Sequence, residues 1–218
     1  MLSDVRYAAA MPSVTRSASK APSPSSVESR LLSATQDLLA GGALFTELSV
    51  GAIVEAAGVA RSSFYAHFPD KTQLLRRCAA DLGDSSFGLL ADWDPSAVSA
   101  LQDLSAIMRQ ILAHYRDRAP LLRAVVEVAA YDADTRRFWD DQLEVFVRHA
   151  ELLLHREQHA GRTPRSVDVE VASRMFVHGG MQAITQQVLS GAPAHDSAVA
   201  EELSAQQWFG SFRRPSAT

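Results

Sequence analysis

Apolar residues recur every three or four positions along most of this chain, which is the spacing of an amphipathic helix. The pattern predicts a first helix from Ser25 to the glycines at 41–42, and Ser25 and Glu28 have the spacing of a capping box. Three further helices are predicted at residues 49–57, at residues 61–68 and from Asp70 onward.

The second half of the chain has longer predicted helices. One spans Val98 to Tyr115, and Pro120 begins another. Residues 132–160 form a long helix that Gly161 ends, and the last two helices cover residues 166–189 and 197–212. No stretch alternates apolar and polar residues as a strand does. We therefore predict an all-α protein with a small N-terminal unit and a larger helical bundle.

Composition and charge narrow the classes of protein. The 218 residues are 47% hydrophobic, which is enough for one large domain or two small ones. The net charge of −4 does not by itself indicate a nucleic-acid partner, although residues 1–78 have 8 Arg and Lys against 6 Asp and Glu. The single cysteine, Cys78, excludes an internal disulfide. No apolar run reaches the roughly 18 residues that a membrane span needs, so we expect a cytoplasmic protein.

The segment RSSFYAHF, residues 61–68, mixes hydroxyl and aromatic side chains in one short helix. On a helical wheel Phe64 and Phe68 share one face, which we expect to be buried, and Tyr65 and His67 lie on the two flanks. The opposite face carries small residues, namely Ser62, Ser63 and Ala66. Small residues allow close approach to base edges, and donors on the flanks can reach phosphates. The pattern favours a helix that enters the major groove of DNA.

The preceding helix completes a helix-turn-helix, with the turn at Gly58. Ser49 begins that helix, whose free N–H groups can bind a phosphate. Lys71 lies in the first turn of the next helix, where a cation is unfavourable for the helix dipole and a phosphate would compensate. Arg61 lies nearer the buried side of the wheel, but its long side chain can still reach a phosphate or a guanine edge.

Residues 45–75, FTELSVGAIVEAAGVARSSFYAHFPDKTQLL, resemble the DNA-binding domain of TetR-family transcriptional regulators. The positions that match the family's pattern are Ser49, Val50, Ile53, Ala56, Ala57, Gly58, Val59, Arg61, Ser63, Phe64, Tyr65, His67, Phe68, Lys71 and Leu74. Two positions differ: Val54 replaces the usual Ala, and Ala60 replaces the usual Ser at the start of the recognition helix. Pattern and resemblance together predict DNA contacts at Ser49, Arg61, Ser62, Ser63, Tyr65, His67 and Lys71.

The resemblance also implies how the chain is divided. Composition separately predicts a disordered arm at residues 1–24, which are rich in Ser, Ala and Pro and have no periodicity. Residues 25–69 form the helix-turn-helix DNA-binding domain, and residues 70–218 form a helical ligand-binding and dimerisation domain. The expected function is that of a DNA-binding regulator, a repressor released from its double-stranded operator by a small apolar effector. Neither a cofactor nor a metal ion is expected.

The effector would bind among apolar and polar side chains of the second domain, for which the candidates are Met108, Ile111, Tyr115, Trp139, Phe146, Phe176, His178 and Gln182. Ordinary core packing is the alternative for each single one of these, and for His178 the alternative is a core histidine with its hydrogen bonds satisfied. Two glycines in the segment VHGGMQA indicate close helix–helix approach. By resemblance, the last two helices pair with those of a second copy, and we expect a homodimer there with Trp208 and Phe209 as anchors.

Two other functions remain open from the sequence alone. The second domain is also compatible with a protein-interaction module that binds no ligand. A small-molecule enzyme is the other alternative, but no nucleophile–base pair or metal motif supports it. The segment HREQH, residues 155–159, is not a zinc-protease motif, because Arg156 stands where that motif needs Glu.

Overall fold

The computed structural model describes residues 26–215, and every regular element in that range is helical. The predicted arm, residues 1–24, and Ser25 lie outside the described residues. The α-helices are α1 (Ser26–Ala40), α2 (Val50–Ala57), α3 (Arg61–His67), α4 (Lys71–Leu90), α5 (Ala100–Asp117), α6 (Ala119–Ala129), α7 (Ala133–His159), α8 (Val169–Ser190) and α9 (Asp196–Gln207). A short 3₁₀ turn precedes α9, and a π-helical turn, Trp208–Phe212, follows it. The predicted all-α fold, with a helix-turn-helix before a larger helical domain, is confirmed.

Local capping sets the bounds of the N-terminal helices. The hydroxyl of Ser49 accepts a hydrogen bond from Ala52 N at 3.0 Å and begins α2. Gly58 ends α2 in the left-handed conformation, with a φ of 60° that favours glycine. The carboxylate of Asp70 accepts from Gln73 N at 2.7 Å and begins α4. Ala60 makes no side-chain cap at α3, so α3 depends on its buried Phe64 and on its neighbours for its position.

Helix α4 is common to both parts of the molecule. It packs against α1 of the N-terminal part and against α5, α6 and α7 of the larger domain. Cys78 lies on the buried side of this helix, and burial raises the pKa of its thiol to about 12. Arg77 forms an ion pair with Glu28 of α1 at 3.1 Å, and Arg76 forms one with Asp132, the N-cap of α7, at 3.3 Å. Charged contacts therefore join α4 to the helices on both sides of it.

An arginine on α5 fixes the turn between α8 and α9. Arg116 donates to the backbone carbonyls of Gln187 at 3.1 Å and Val188 at 2.9 Å, in the last turn of α8. Its Nε also donates to the carboxylate of Asp196, the first residue of α9, at 3.0 Å. A cation at the C-terminus of α8 and an anion at the N-terminus of α9 both complement the helix dipoles. The two helices are thereby held at this end of the bundle.

The other end of α9 is held by a buried carboxylate. Glu157 of α7 is 1% exposed and accepts two hydrogen bonds from Arg162, at 2.6 and 2.7 Å. Arg213 contacts the same carboxylate at 3.0 Å and donates to Pro95 O at 2.6 Å. The hydrogen bonds from Arg162 are the main cause that lowers the pKa of Glu157. This cluster ties the C-terminal π-helical turn to the end of α7.

We expect Glu157→Gln to lower the free energy of unfolding by about 1.5–3 kcal/mol, because two arginines lose a charged, buried acceptor. The matched control is Glu144→Gln, which removes the α7–α8 ion pair with Arg174, whose two side chains are 31% and 47% exposed. That exposed pair should contribute less than about 1 kcal/mol. Urea unfolding of both variants measures the difference. Equal losses would show that burial of Glu157 adds nothing.

Candidate nucleic-acid interface and ligand cavity

Helix α3 presents one buried face and one exposed face. Phe64 is fully buried and Phe68 is 5% exposed, and their rings lie 5.9 Å apart against the core that α1 and α2 share with them. Exposed side chains cover the opposite side and the flanks, namely Arg61, Ser62, Tyr65, Ala66 and His67, with Ser63 half-buried. This is the arrangement that the helical wheel predicts for Phe64 and Phe68.

Arg61 and Tyr65 form a pair at one flank of α3. The guanidinium carbon lies 5.7 Å from the centre of the tyrosine ring, and Arg61 donates to the tyrosine hydroxyl at 3.3 Å. The wheel placed Arg61 nearer the buried side, but its side chain is exposed, because the first residue of a helix has no preceding turn to cover it. The contact keeps a cation beside an exposed hydroxyl group.

Lys71 contacts backbone carbonyl groups of its own chain, whereas the sequence predicts a contact with a DNA phosphate. Its ammonium group donates to three backbone carbonyls of the loop before α2, those of Phe45 at 3.0 Å, Thr46 at 3.0 Å and Leu48 at 2.8 Å. An ammonium group has three donors, and this loop uses all of them. The carbonyls supply the compensation that the sequence analysis assigned to a phosphate. The structure gives Lys71 an internal role, and we remove it from the proposed DNA contacts.

Arg30 of α1 supports the turn of the helix-turn-helix. This role of Arg30 was not predicted from the sequence. It donates to the carbonyl oxygen of Gly58 at 2.5 Å. A Cβ atom added at Gly58 would lie 2.8 Å from the Arg30 guanidinium and would need the left-handed backbone as well. Both restrictions keep this turn tight. Arg30 lies 28 residues before Gly58, and no local sequence pattern links the two.

An apolar cavity of about 90 Å³ lies inside the helical bundle. Its wall is formed by α4, α5, α7, α8, α9 and the two aromatic residues Trp93 and Phe212. The predicted ligand-binding residues that line it are Met108, Ile111, Tyr115, Phe146 and Phe176. Further lining residues that the sequence analysis did not select include Ser86, Leu90, His149, Met181 and Gln207.

Three predicted ligand-binding residues are wrongly placed. His178 and Gln182 are exposed, because α8 turns Val177, Gly180 and Met181 toward the cavity and these two residues away from it. Trp139 lies nearly two turns before Phe146 on α7, where it packs half-buried against another part of the core. The rotation of a helix about its axis is set by packing, and the sequence alone did not fix it.

Few polar groups line the cavity. The pKa of Tyr115 is raised by burial, and Ser86 has a smaller, opposite effect on it. Burial also lowers the pKa of His149, which favours the neutral imidazole. The Nε2 atom of His149 is buried without a hydrogen-bond partner. Gln207 of α9 is 8% exposed and adds an amide group to the wall.

A groove follows the outer side of α8 and α9. Ala172, Gly179, Ala183 and Val199 contribute to its walls, together with Met175, which is 71% exposed. The side chains of Val171 and Phe209 are also exposed, at 51% and 57%. An apolar surface of this kind is typical of an interaction site.

Two details of the predicted interface change. Gly180 is buried and faces Gln207 of the same chain, whose Nε2 would lie 3.5 Å from an added Cβ, whereas Gly179 has open space beside it. Trp208 packs inward, edge-on to Trp93 at 6.4 Å and 4.4 Å from the Arg213 guanidinium. Of the two predicted anchors, Phe209 is therefore the exposed one.

Comparison with known proteins agrees with this geometry. Residues 31–78 match the family described as bacterial regulatory proteins, tetR family. No curated protein sequence matches the chain. A protein from Mesorhizobium loti assigned to the same family has 15% identity and a TM-score of 0.65, over 85% of this chain and 96% of that one.

Two further solved structures share the fold. NalD of Pseudomonas aeruginosa, the secondary repressor of the MexAB-OprM multidrug efflux pump, has 17% identity and a TM-score of 0.64, over 87% of this chain and 98% of that one. FadR of Bacillus subtilis, a transcriptional regulator in complex with stearoyl-CoA, has 16% identity and a TM-score of 0.66, over 82% and 96% of the two chains.

The fold and the exposed α3 define a helix-turn-helix unit followed by a larger helical domain. The match over residues 31–78 makes the family specific, and the resemblance predicted from residues 45–75 is confirmed. Residues 31–78 therefore have the DNA-binding domain of the tetR family of bacterial regulatory proteins, and the chain as a whole has the fold of solved regulators of that family. In the range 26–215, no helix is long and apolar enough to cross a membrane.

Proposed function

We propose that this protein is a homodimeric repressor that binds its operator through α3 and is released by a small apolar ligand in the bundle cavity. The observation that carries the proposal is the position of α4. Its first turn binds the loop before α2 through Lys71, and its last turns line the cavity with Ser86 and Leu90. One continuous helix therefore contacts both the helix-turn-helix and the proposed ligand site.

The exposed face of α3 supports its role in the major groove. Ser62 and Ala66 are exposed and small, so the backbone of α3 can approach base edges closely. Tyr65 and His67 lie on the flanks, where phosphates run along the walls of the groove. Arg61, held beside Tyr65, is positioned for a phosphate or a guanine edge. Ser49 and Ser63 complete the proposed contact set.

We expect Tyr65→Phe and His67→Ala to weaken binding to all duplex sequences alike, because phosphate contacts carry no sequence information. Ser62→Ala should instead change which base pairs are preferred. The operator is first selected from random duplex DNA with the unaltered protein, and anisotropy titrations then compare the variants. Gln73→Ala, an exposed change on α4 outside the recognition helix, is the control. Unchanged affinity of both flank variants would contradict this assignment of α3.

The groove on α8 and α9 supports dimerisation through these helices. Two recognition helices must lie about 34–36 Å apart to enter successive major grooves, so a single copy cannot read a two-part operator. Exposed Met175 and Phe209, with open space at Gly179, give the groove the apolar character of an interface core. A second copy of the same surface would cover these side chains.

We expect Met175→Glu to shift the protein from dimer to monomer, because a buried carboxylate without a partner opposes association. Sedimentation equilibrium at micromolar concentration measures the shift. The matched control is Tyr131→Glu, which places the same charge at another exposed aromatic position, in the turn between α6 and α7. A Met175→Glu variant that remained dimeric would place the interface elsewhere.

Release of the protein from its operator requires that the ligand binds more tightly to a dimer whose two helix-turn-helix units have the wrong spacing for DNA. A ligand that forces the cavity walls apart moves the last turns of α4 and, through its rigid axis, the loop that Lys71 binds. If the ligand binds the displaced form more tightly by about 1–3 kcal/mol, the affinity of the protein for its operator falls by about 5–150-fold. Stearoyl-CoA, the ligand of FadR, is far larger than the present cavity of about 90 Å³. A smaller molecule is therefore the better proposal for this chain.

We expect every molecule that binds in the cavity and raises the thermal stability of the protein also to lower its affinity for the operator. Thermal unfolding and operator anisotropy, measured on one library of small molecules, give both quantities. Molecules that fail to raise thermal stability are the internal control. Tight cavity ligands that leave operator affinity unchanged would contradict release and leave DNA binding intact.

A further inference from the structure

The electrostatic character of the cavity restricts its occupant more than its size does. Of the described residues, those that line the cavity include no Asp, Glu, Lys or Arg. A charged ligand group would lose its hydration there and gain no opposite charge, which is strongly unfavourable. The cavity therefore selects against carboxylates, phosphates and amines.

One buried polar atom requires a partner. His149 packs edge-on against Phe87, with ring centres 5.3 Å apart, and its Nε2 is buried without a hydrogen bond. Buried polar groups in proteins are nearly always paired, and an unpaired one is unfavourable. The hydroxyl of Tyr115 is not among the buried polar atoms that lack a partner. Among the side chains that line the cavity, His149 therefore has a buried polar atom without a hydrogen-bond partner.

The volume sets the scale of the occupant. Pockets for drug-sized ligands usually measure about 300–1,000 Å³, whereas this cavity has a volume of about 90 Å³. Met108 and Met181 line it, and their flexible thioether side chains can move aside for a slightly larger group. A single ring is therefore near the upper limit of what the cavity can take without a larger rearrangement.

We infer that the cavity binds an uncharged molecule of about one ring whose hydroxyl or carbonyl group forms a hydrogen bond with Nε2 of His149. This inference rests on the proposed function only in that the cavity is the effector site. Nε2 accepts from a hydroxyl group or donates to a carbonyl group, according to which ring nitrogen carries the hydrogen. The apolar part of the molecule contacts Ile111, Phe146 and their neighbours.

Three probes of equal ring size test the inference by calorimetric titration of the full chain. Phenol has the ring and a hydroxyl group, toluene has the ring alone, and benzoate has the ring with a negative charge. A cavity without a polar role would prefer toluene, because toluene loses less hydration than phenol does. We expect the reverse order, with phenol bound about tenfold or more tightly than toluene, since it satisfies Nε2. Benzoate should bind least.

The variant His149→Phe keeps an aromatic ring against Phe87 and removes the nitrogen. It should bind phenol and toluene within about threefold of each other, because the unpaired acceptor or donor is gone. The control, His155→Phe, changes an exposed histidine on the same helix and should keep the preference for phenol. The order of the three probes on the unaltered protein tests the inference even if His149→Phe does not fold.

Several results would overturn this ligand class. They are equal or tighter binding of toluene, binding of benzoate as tight as that of phenol, no binding of phenol at all, or a phenol preference that survives in His149→Phe. Operator release is measured separately, by anisotropy with the same probes. Release by larger or charged molecules, with no binding of phenol, would reject this inference and keep the proposed repressor. The expected probe order without any release would keep this inference and reject the proposed mechanism.

Discussion

Three backbone carbonyls in the loop before α2 lack partners within a helix, and the ammonium group of Lys71 binds all of them. The contact fixes where the helix-turn-helix stands relative to α4, because Lys71 is the first residue of that helix. Partial burial lowers the pKa of Lys71, because desolvation disfavours the charged ammonium group. The orientation of the exposed face of α3 depends on this junction. In the proposed mechanism, α4 couples the cavity to DNA binding, because its last turns also line the cavity.

Helix α9 has a comparable double role at the other side of the bundle. Arg116 and Asp196 hold its beginning, and Glu157 and Arg213 hold the turn that follows its end. Between these fixed ends, Leu203 and Gln207 contribute to both the cavity and the outer groove. The same short helix thus separates the proposed ligand from the proposed partner copy. A ligand that displaces α9 would act on the interface as well as on α4.

Local chemistry determined what the sequence could predict. The bounds of α2, α3 and α4 followed from Ser49, Gly58 and Asp70, because capping depends on residues within one turn of each other. The partners of Lys71 could not be predicted, since they lie 23 to 26 residues away. They are backbone carbonyl groups, which every residue type has, so no particular residue marks them in the sequence. The burial of Phe64 could be predicted from its own helix. The exposure of His178 depends on how α8 rotates against α7, which the weakly amphipathic sequence of α8 does not specify.

The burial of Cys78 has a practical consequence for measuring the distance between the two helix-turn-helix units of the proposed dimer. A thiol with a pKa of about 12 is almost wholly protonated near neutral pH, and the protonated form does not react with maleimide or thiosulfonate reagents. The native chain is therefore close to silent toward such labels without removal of its only cysteine. A spin label on one added surface cysteine, placed away from the DNA-facing side, would report from a single known site in each copy. Pulsed electron paramagnetic resonance would then measure the distance between the two labels in the proposed dimer.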